Sequence, residues 1–559
     1  MNKIVKISNF AQILFYISLA IYIFLGILEI MAYWKKEFWS TLAVYVWIVL
    51  GVYFVVISIY LVGKTFIQDL KLQFIRGIFV LLLFSILILF FPNLLQFINH
   101  ESTQQASAGF SLIQKADFNY TGQSFLGYPS RQYLITTLPS FLFGRTPFLL
   151  NLGYIIPFLF GLYIFYSGMR AYFDNDKDHA IISTIGIISI FLFSYVFPLI
   201  FMYEQSVIPL SITLCAVGWL LITFKKPTFL HFLALLWIGS LLSGIYSPGF
   251  ASWLLLVVVE IFQCLGNFRI KNNKLGVIWL CIVLTTVIFG VMSIWGVNSA
   301  NAMFTGLRNP DYEKSRDVVD LLMVLKEGYE IFFSLSESGK SFTQSLIYLP
   351  LVVYIVSSIL LRNGIKNFLL VSWILITVGI SLLLKGYASP PPVLSIQRAL
   401  VVVPPLLIGI LVWIDKKHIH LSRLFLNVYF SVALLIVLIS YIQTYNSVGF
   451  GQNDLRATMV HQILYLKHQN KIDPSIDLNI FIYSDVDSII SLQDMTQYFV
   501  PLYKITFLSD CSNYVDLNNN TILFTDSIEC TKKMYDEGID AFPLFDPETH
   551  FYYALIKNK

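Results

Sequence analysis

Long apolar runs alternate with short polar connections over roughly the first 445 residues of the chain. Each run has about 20 residues, the length an α-helix needs to cross a hydrocarbon core of about 30 Å. The pattern predicts about thirteen transmembrane helices, near residues 11–33, 40–63, 76–97, 147–169, 180–200, 206–224, 228–246, 250–266, 275–297, 344–361, 367–384, 398–414 and 424–444. The first run is too long for the core of a signal peptide, so we interpret it as an uncleaved span.

After residue 445 the composition changes abruptly. The segments NIFIYSD, YKITFLSD, TILFTD and FYYALIKN are typical of short β-strands. Apolar residues at helical spacing predict helices at LRATMVHQILYLKHQ and near SIECTKKMYDEG. We therefore expect a transmembrane module over residues 1–445 and a small α/β domain over residues 446–559.

The positions of lysine and arginine predict the orientation of the spans. Short connections rich in basic residues remain on the cytoplasmic side of a membrane. With the N-terminus in the cytoplasm, most basic residues of the short connections fall on that side. The loops 98–146 and 298–343, the segment Lys385–Arg398 and the C-terminal domain then lie outside. The predicted fold class is an all-α polytopic protein of the cytoplasmic membrane with a small extracytoplasmic α/β domain.

The composition is typical of a membrane protein and gives no indication of a nucleic-acid partner. The chain is 57% hydrophobic and only 13% charged, whereas about a quarter of the residues of globular domains are charged. The net charge of +4 is modest and its basic residues are dispersed, which gives no indication of nucleic-acid binding. Cys215, Cys264 and Cys281 fall in or beside apolar runs and are interpreted as small buried hydrophobes. Cys511 and Cys530 could form a disulfide if the C-terminal domain lies outside the cytoplasm.

Ionisable residues near the membrane are the candidates for chemistry, because a charge at membrane depth is costly unless it has a function. Most charges of this chain avoid that cost by lying in loops. Three acidic residues on the predicted outer face stand close to apolar runs, namely Glu101, Asp117 and Glu204. Taken singly, each of them is explained more simply as a solvated loop carboxylate or a helix cap. No spacing typical of metal ligands is present, so we expect no structural metal.

The landmarks of the 98–146 loop occur in a distinctive order. They are His100-Glu101, Ala116-Asp117-Phe118, Gly127-Tyr128-Pro129-Ser130 and Leu142-Phe143-Gly144, and the last precedes an apolar run. This order resembles the GT-C superfamily of polyprenyl-phosphate-sugar-dependent glycosyltransferases, in its protein O-mannosyltransferase and aminoarabinose-transferase branch. In that branch an acidic pair, a Gly-Asp type turn, a proline segment and a Leu-Phe-Gly occupy the same places. The likeness of motif covers about 70 residues, and the likeness of topology covers most of the chain.

Two later segments are also similar to the family, and several positions depart from it. FMYEQSVIPLSITL, where Glu204 opens a span, and SIQRALVVVPPLLIGIL, where a basic residue precedes a proline-containing span, both resemble family segments. His100 stands where the family has the first acid of the pair. Tyr128 stands where the proline segment has a basic residue, which leaves Arg131 as the nearest cation. Two additional apolar spans precede the span that is normally first.

The resemblance implies an inverting transfer of a sugar from a polyprenyl-phosphate donor to an acceptor hydroxyl on the outer face. Glu101 is expected to be the general base, with Asp117 as the next candidate, and Glu204 would orient the donor or acceptor sugar. The phosphate would be bound by Arg131, Lys385 and Arg398, with His100 and Tyr128 as further substrate contacts. The acceptor is a protein, a glycan or a lipid. No cofactor is certain, and a divalent cation is possible.

Two alternatives remain open. A polytopic transporter or flippase would be expected to carry polar or broken helices near the bilayer midplane. A catalytically inactive GT-C-like scaffold of cell-envelope glycan assembly is compatible with the histidine at position 100. Convergence of Glu101, Asp117 and Glu204 on one outer cavity would favour the enzyme, and a polar path between both faces would favour the transporter.

Overall fold

A computed structural model describes the parts of the chain on which the fold rests. They are residues 2–33, 42–60 with gaps at 43–44, 47 and 57, 100–115, 130–172, 207–225, 227–242, 247–296, 455–473, 477–483, 492–500, 503–511, 521–544 and 551–556. The predicted spans at 76–97, 180–200, 344–361, 367–384, 398–414 and 424–444 lie outside them, as does the 298–343 loop. The chain divides into two compact units, each with its own core.

Helices dominate the described residues before position 300. They include α1 (Asn2–Tyr33), α2 (His100–Lys115), α3 (Ser130–Phe143), α4 (Pro147–Tyr172), α5 (Val207–Lys225), α6 (Phe229–Leu242), α7 (Ser247–Arg269) and α8 (Asn273–Gly296). In the described part of the chain, four helical segments are long and apolar enough to cross a membrane, namely Pro147–Gly168, Val207–Phe224, Ser252–Arg269 and Asn273–Gly290. Shorter apolar helices occur at Gln12–Leu25, Ile48–Tyr60, Leu134–Phe143 and Phe229–Leu242. The chain is thus a mostly helical membrane protein, and the predicted total of thirteen spans stays a prediction.

Glycines let α4 and α5 approach each other closely in the first unit. A Cβ atom at Gly161 would lie 2.5 Å from the carbonyl oxygen of Ser211, and one at Gly218 would lie 2.5 Å from that of Ile164. A Cβ at Gly168 would meet the backbone of Gly218. Small residues at such a crossing allow backbone-to-backbone packing, which is a main source of helix association in lipid.

Polar groups add to the packing of α7 against its neighbours. Trp253 donates its indole N–H to the carbonyl oxygen of Thr286 on α8 at 2.9 Å, and its ring lies against Gly290. Thr213 on α5 donates its hydroxyl to that of Ser252 on α7 at 3.0 Å. Both bonds are buried, so their donors avoid the cost of facing hydrocarbon without a partner.

The second unit contains a five-stranded sheet. Its elements are α9 (Leu455–His468), β1 (Leu478–Tyr483), α10 (Leu492–Phe499), β2 (Tyr503–Phe507), β3 (Thr521–Thr525), α11 (Ile528–Asp536), β4 (Ala541–Pro543) and β5 (Tyr552–Ile556). The strand order is β2-β1-β3-β5-β4, with β2, β1 and β3 parallel and β5 antiparallel to both β3 and β4. Four strands and two helices coincide with the sequence predictions, whereas α10 and β4 were not predicted. The boundary at residue 446 and an outer position for this unit stay predictions.

Both faces of the sheet are covered, as parallel strands require. Ile480 and Phe524 belong to a core that α9 and α10 also line. The alternating residues Phe481 and Leu523 belong to a second core, which α11 lines through Met534. The period of two along β1 and β3 therefore sends successive side chains into opposite cores.

Part of the 98–146 loop belongs to this second unit. Residues 100–110 and 137–153 cluster with the residues from 455 onward. Ala106 and Phe110 on α2 and Leu150 at the start of α4 lie in the same core as the sheet residues Ile480 and Phe524. The helix that begins with His100 and Glu101 thus shares the core of the C-terminal sheet.

A disulfide joins Cys511, which follows β2, to Cys530 on α11, with the two Cα atoms 5.6 Å apart. The sequence left open whether Cys511 and Cys530 form a disulfide, and in the structure they do. Cys215 and Cys264 are buried free thiols, in agreement with their interpretation as small hydrophobes, and Cys281 is half-buried.

The double substitution Cys511→Ala/Cys530→Ala is expected to lower the free energy of unfolding of the second unit by about 3 kcal/mol, because the open chain regains the entropy of a loop of this length. The two cysteines are 19 residues apart. Thermal unfolding under non-reducing conditions measures the change, and Cys281→Ala serves as a control for loss of a thiol. Equal melting temperatures for the wild type and the double variant would contradict the expectation.

Candidate functional site

The structure gives a backbone position to three of the predicted site residues. His100 and Glu101 are the first two residues of α2, and Arg131 is the second residue of α3. Asp117, Tyr128, Glu204, Lys385 and Arg398 lie outside the described residues, so convergence of the three acids stays a prediction. The first turn of a helix carries the positive end of its dipole, which stabilises a carboxylate there. Glu101 therefore stands where a negative charge is favoured.

Packing fixes the face that α2 turns toward the core of the second unit. Ser102, Thr103 and Ala106 are fully buried on successive turns. Thr137 on α3 donates its hydroxyl to the carbonyl oxygen of Ala106 at 3.3 Å. Because these contacts immediately follow Glu101, the backbone that carries the predicted base is held by a packed helix.

Local sequence explains the junction between α3 and α4. Gly144 adopts a φ of 108° and donates its N–H to the carbonyl oxygen of Ser140 at 3.0 Å, which ends α3. Thr146 then caps α4 by accepting the N–H of Leu149 on its hydroxyl at 3.2 Å. Pro147 occupies the first position of α4, where its missing N–H costs nothing. The sequence Gly-Arg-Thr-Pro thus ends one helix and begins the next within four residues.

Arg145, at the centre of this junction, contacts two other elements. Its Nη1 donates to the carbonyl oxygen of Tyr498 on α10 at 3.2 Å. Its guanidinium carbon lies 4.2 Å from the centre of the Phe110 ring and 5.8 Å from that of the Tyr498 ring. Both distances are within the range of cation–π attraction. One cation thereby connects the α3–α4 junction to α2 and α10.

Two hydroxyl groups are buried beside Arg145. Tyr498 and Ser140 are each 1% exposed, and their hydroxyl oxygens face one another without reaching hydrogen-bond geometry. Burial raises the pKa of the Tyr498 phenol to about 12, although the Ser140 hydroxyl and the charge of Arg145 both act to lower it. The phenol therefore remains a neutral hydrogen-bond donor at physiological pH.

Glu260 is a residue that the sequence predictions missed. It lies in the middle of the candidate span Ser252–Arg269 and is fully buried. Among the described residues, neither carboxyl oxygen has a partner in hydrogen-bond geometry, and the hydroxyl of Thr286 on α8 is the neighbouring polar group. Most charges were predicted to lie in loops, and Glu260 is an exception that the sequence predictions did not single out. A single acid inside the run LLLVVVEIF was the available signal, because acids within spans are rare and often functional.

Glu260→Gln is expected to leave the thermal stability of the protein unchanged or to raise it, since the amide keeps the shape and removes a group that is expensive to bury. Glu260→Ala is expected to lower stability by about 1–3 kcal/mol, because it leaves a cavity between α7 and α8. Thermal unfolding in detergent compares the two variants. A large fall in melting temperature for Glu260→Gln would show that the carboxyl group makes a bond that glutamine cannot replace.

In the described residues, no group of three His, Cys, Asp or Glu side chains could hold a metal ion. The expectation of a chain without a structural metal stays a prediction, because Asp117 and Glu204 lie outside those residues.

No family model matches the chain, and no curated protein matches it. Two solved structures are similar to it. Apo ArnT from Cupriavidus metallidurans has 11% sequence identity and a TM-score of 0.47, and the alignment covers 86% of this chain and 98% of that chain. ArnT from the same organism bound to undecaprenyl phosphate has 9% identity and a TM-score of 0.45 over the same shares of the two chains.

Proposed function

We propose that this chain transfers a sugar from a polyprenyl-phosphate donor to an acceptor hydroxyl on the outer face of the membrane, with inversion at the anomeric carbon. The observation that carries the proposal is what the second unit contains. It contains both the beginning of α2, where Glu101 lies, and the Cys511–Cys530 disulfide. Because disulfides persist in oxidising compartments, the disulfide supports an extracytoplasmic position for this unit and for Glu101, and that is the side on which the family that the sequence resembles performs its reaction.

The chemistry assigns a role to each predicted residue. Glu101 accepts the proton of the acceptor hydroxyl while the acceptor oxygen bonds to the anomeric carbon. The bond between that carbon and the phosphate oxygen breaks, and the polyprenyl phosphate departs with the electron pair. Arg131, Lys385 and Arg398 neutralise the departing phosphate. Asp117 and Glu204 remain as the alternative base and the sugar-orienting acid, while His100 and Tyr128 contact the substrate.

Turnover and binding of the purified full-length protein test the proposal together. Polyprenyl-phosphate sugars of several types are supplied with a mixed panel of protein, glycan and lipid acceptors, and undecaprenyl phosphate serves as a competitor for donor binding. Sugar transfer that depends on the lipid donor, together with competition by undecaprenyl phosphate, is the expected result. Absence of both transfer and donor binding would overturn the proposal.

A transporter is the second candidate function, and the observation that favours it is the buried Glu260. An acid buried in the middle of an apolar span is typical of ion and proton pathways. Under this hypothesis proteoliposomes would move a lipid-linked sugar or another solute across the bilayer without transferring the sugar. Glu260→Gln would stop that movement while leaving thermal stability intact.

A further inference from the structure

The α3–α4 junction lies where a membrane surface is expected. Around Arg145 the described structure exposes large apolar side chains, and these are Leu138, Phe141, Leu142, Phe143 and Phe148. Leu142 and Phe143 are 61% and 75% exposed, and the candidate span begins only two residues after Arg145, at Pro147. Exposed apolar groups beside the start of a span are stable in the acyl region rather than in water. Arg145 is therefore expected at the level of the lipid headgroups.

The guanidinium of Arg145 has unused capacity for an anion. Among the described residues, its partners are the Tyr498 carbonyl and the rings of Phe110 and Tyr498, and none of these is an acid. A guanidinium has five N–H donors in a planar fork, so one bond to a carbonyl leaves most of them available. The Phe110 ring, 4.2 Å from the guanidinium carbon, limits the movement of the fork. A half-buried guanidinium with free donors matches the geometry of a phosphate group.

The start of α4 adds further donors at the same place. Pro147 has no N–H, and Leu149 and Leu150 bond to the side chain and carbonyl of Thr146, so Phe148 supplies the first N–H of the positive helix end. The exposed Thr146 hydroxyl accepts one bond and can still donate one. Ser140 and Tyr498 provide buried hydroxyls without a described partner beside the cation. Hydrogen-bond donors thus outnumber hydrogen-bond acceptors at this junction.

We infer that Arg145, the Thr146 hydroxyl and the Phe148 N–H bind the phosphate group of an anionic bilayer phospholipid. The donor lipid of the proposed reaction is a poorer occupant. Phe110, which Arg145 contacts, is nine residues beyond Glu101 on α2, which corresponds to about 13 Å of helix rise. A base must lie within hydrogen-bond reach of the acceptor at the reacting carbon. The phospholipid would instead tie α2 and α10, which both contact Arg145, to the bilayer.

Lipid retention by the full-length protein in detergent tests the inference. Phosphatidylglycerol is titrated, and the bound molecules are counted by native mass spectrometry. Arg145→Gln is expected to weaken phosphatidylglycerol binding at least tenfold, because the bidentate, charge-assisted bonds are lost. Arg145→Lys, which keeps the charge without the fork, is expected to give an intermediate loss. Arg269→Gln is the matched control, since Arg269 is an exposed arginine at the end of another span, and it should bind as the wild type does.

Three results would overturn the inference. The first is wild-type binding of phosphatidylglycerol by Arg145→Gln. The second is Arg145-dependent binding of undecaprenyl phosphate without binding of phosphatidylglycerol, which would assign the site to the donor. The third is full displacement of phosphatidylglycerol by inorganic phosphate, which would assign it to a free anion. If Arg145→Gln fails to fold, as judged by its melting temperature and the Cys511–Cys530 disulfide, the lysine variant and the competition experiments on the wild type decide the matter.

Discussion

Glu101→Gln is expected to slow sugar transfer by roughly 10²-fold or more, the usual contribution of a general base. The amide keeps the size and much of the hydrogen bonding of the carboxyl group but cannot accept the acceptor proton. Because Glu101 is in the first turn of α2 and glutamine has nearly the shape of glutamate, we expect the substitution to leave the fold unchanged. Donor binding and the melting temperature should therefore equal those of the wild type, so that the loss falls on the rate.

A matched control for this substitution is available in the same unit. Glu529 is an exposed acid in the first turn of α11. Glu529→Gln removes a carboxylate from an equivalent position in a helix and is expected to leave transfer unchanged. Single-turnover transfer from a labelled polyprenyl-phosphate sugar measures both variants. Wild-type rates in Glu101→Gln would move the base to Asp117, and Asp117→Asn would then show the loss instead.

Local patterns were sufficient for much of the secondary structure. The apolar runs at 478–483 and 521–525 predict strands. Their successive side chains enter two separate cores, which demands apolar residues at nearly every position. The short helix α10 and the strand β4 escaped prediction. α10 has only eight residues, and β4 has three residues and ends in a proline. Elements this short depend on tertiary contacts rather than on their own periodicity.

Long-range packing could not be read from the sequence. Residues 100–110 join the core of a sheet whose strands begin more than 350 residues later, and no local signal reports a contact of that separation. The role of Arg145 was missed for the same reason, since its partner Tyr498 is 353 positions away. Glu260 differs from these long-range contacts, because a single acid within an apolar run is visible in the local sequence.

The spacing of the glycines was a further local signal. It could be interpreted as a helix contact only once the partner helix was known. Gly161 and Gly168 are seven residues apart on α4, and Ser211 and Gly218 repeat that interval on α5. Seven residues make nearly two turns, so each pair lies on one face of its helix. Only the structure shows that the two small-residue faces meet.

Gly218→Ala is expected to destabilise the membrane module by roughly 2–3 kcal/mol, and Gly218→Leu by more than about 4 kcal/mol, with loss of most of the folded protein. The added Cβ would lie 2.5 Å from the carbonyl oxygen of Ile164 and 2.8 Å from the nitrogen of Phe165. These are backbone atoms of α4, which cannot rotate away as a side chain would. Relief of the clash therefore requires the two helices to separate, and every neighbouring contact along the crossing weakens.

Gly266 provides the matched control, because it is a helical glycine of the same module at which an added Cβ would have no atom of the described residues within 4 Å. Gly266→Ala is expected to be neutral or to stabilise α7 by up to about 1 kcal/mol, through the higher helix propensity of alanine. Thermal unfolding and the yield of monodisperse protein in detergent compare the two alanine variants, which differ only in where one methyl group is added. Equal stability of the two would contradict close packing of α4 on α5, since the same methyl group then meets no backbone at either position.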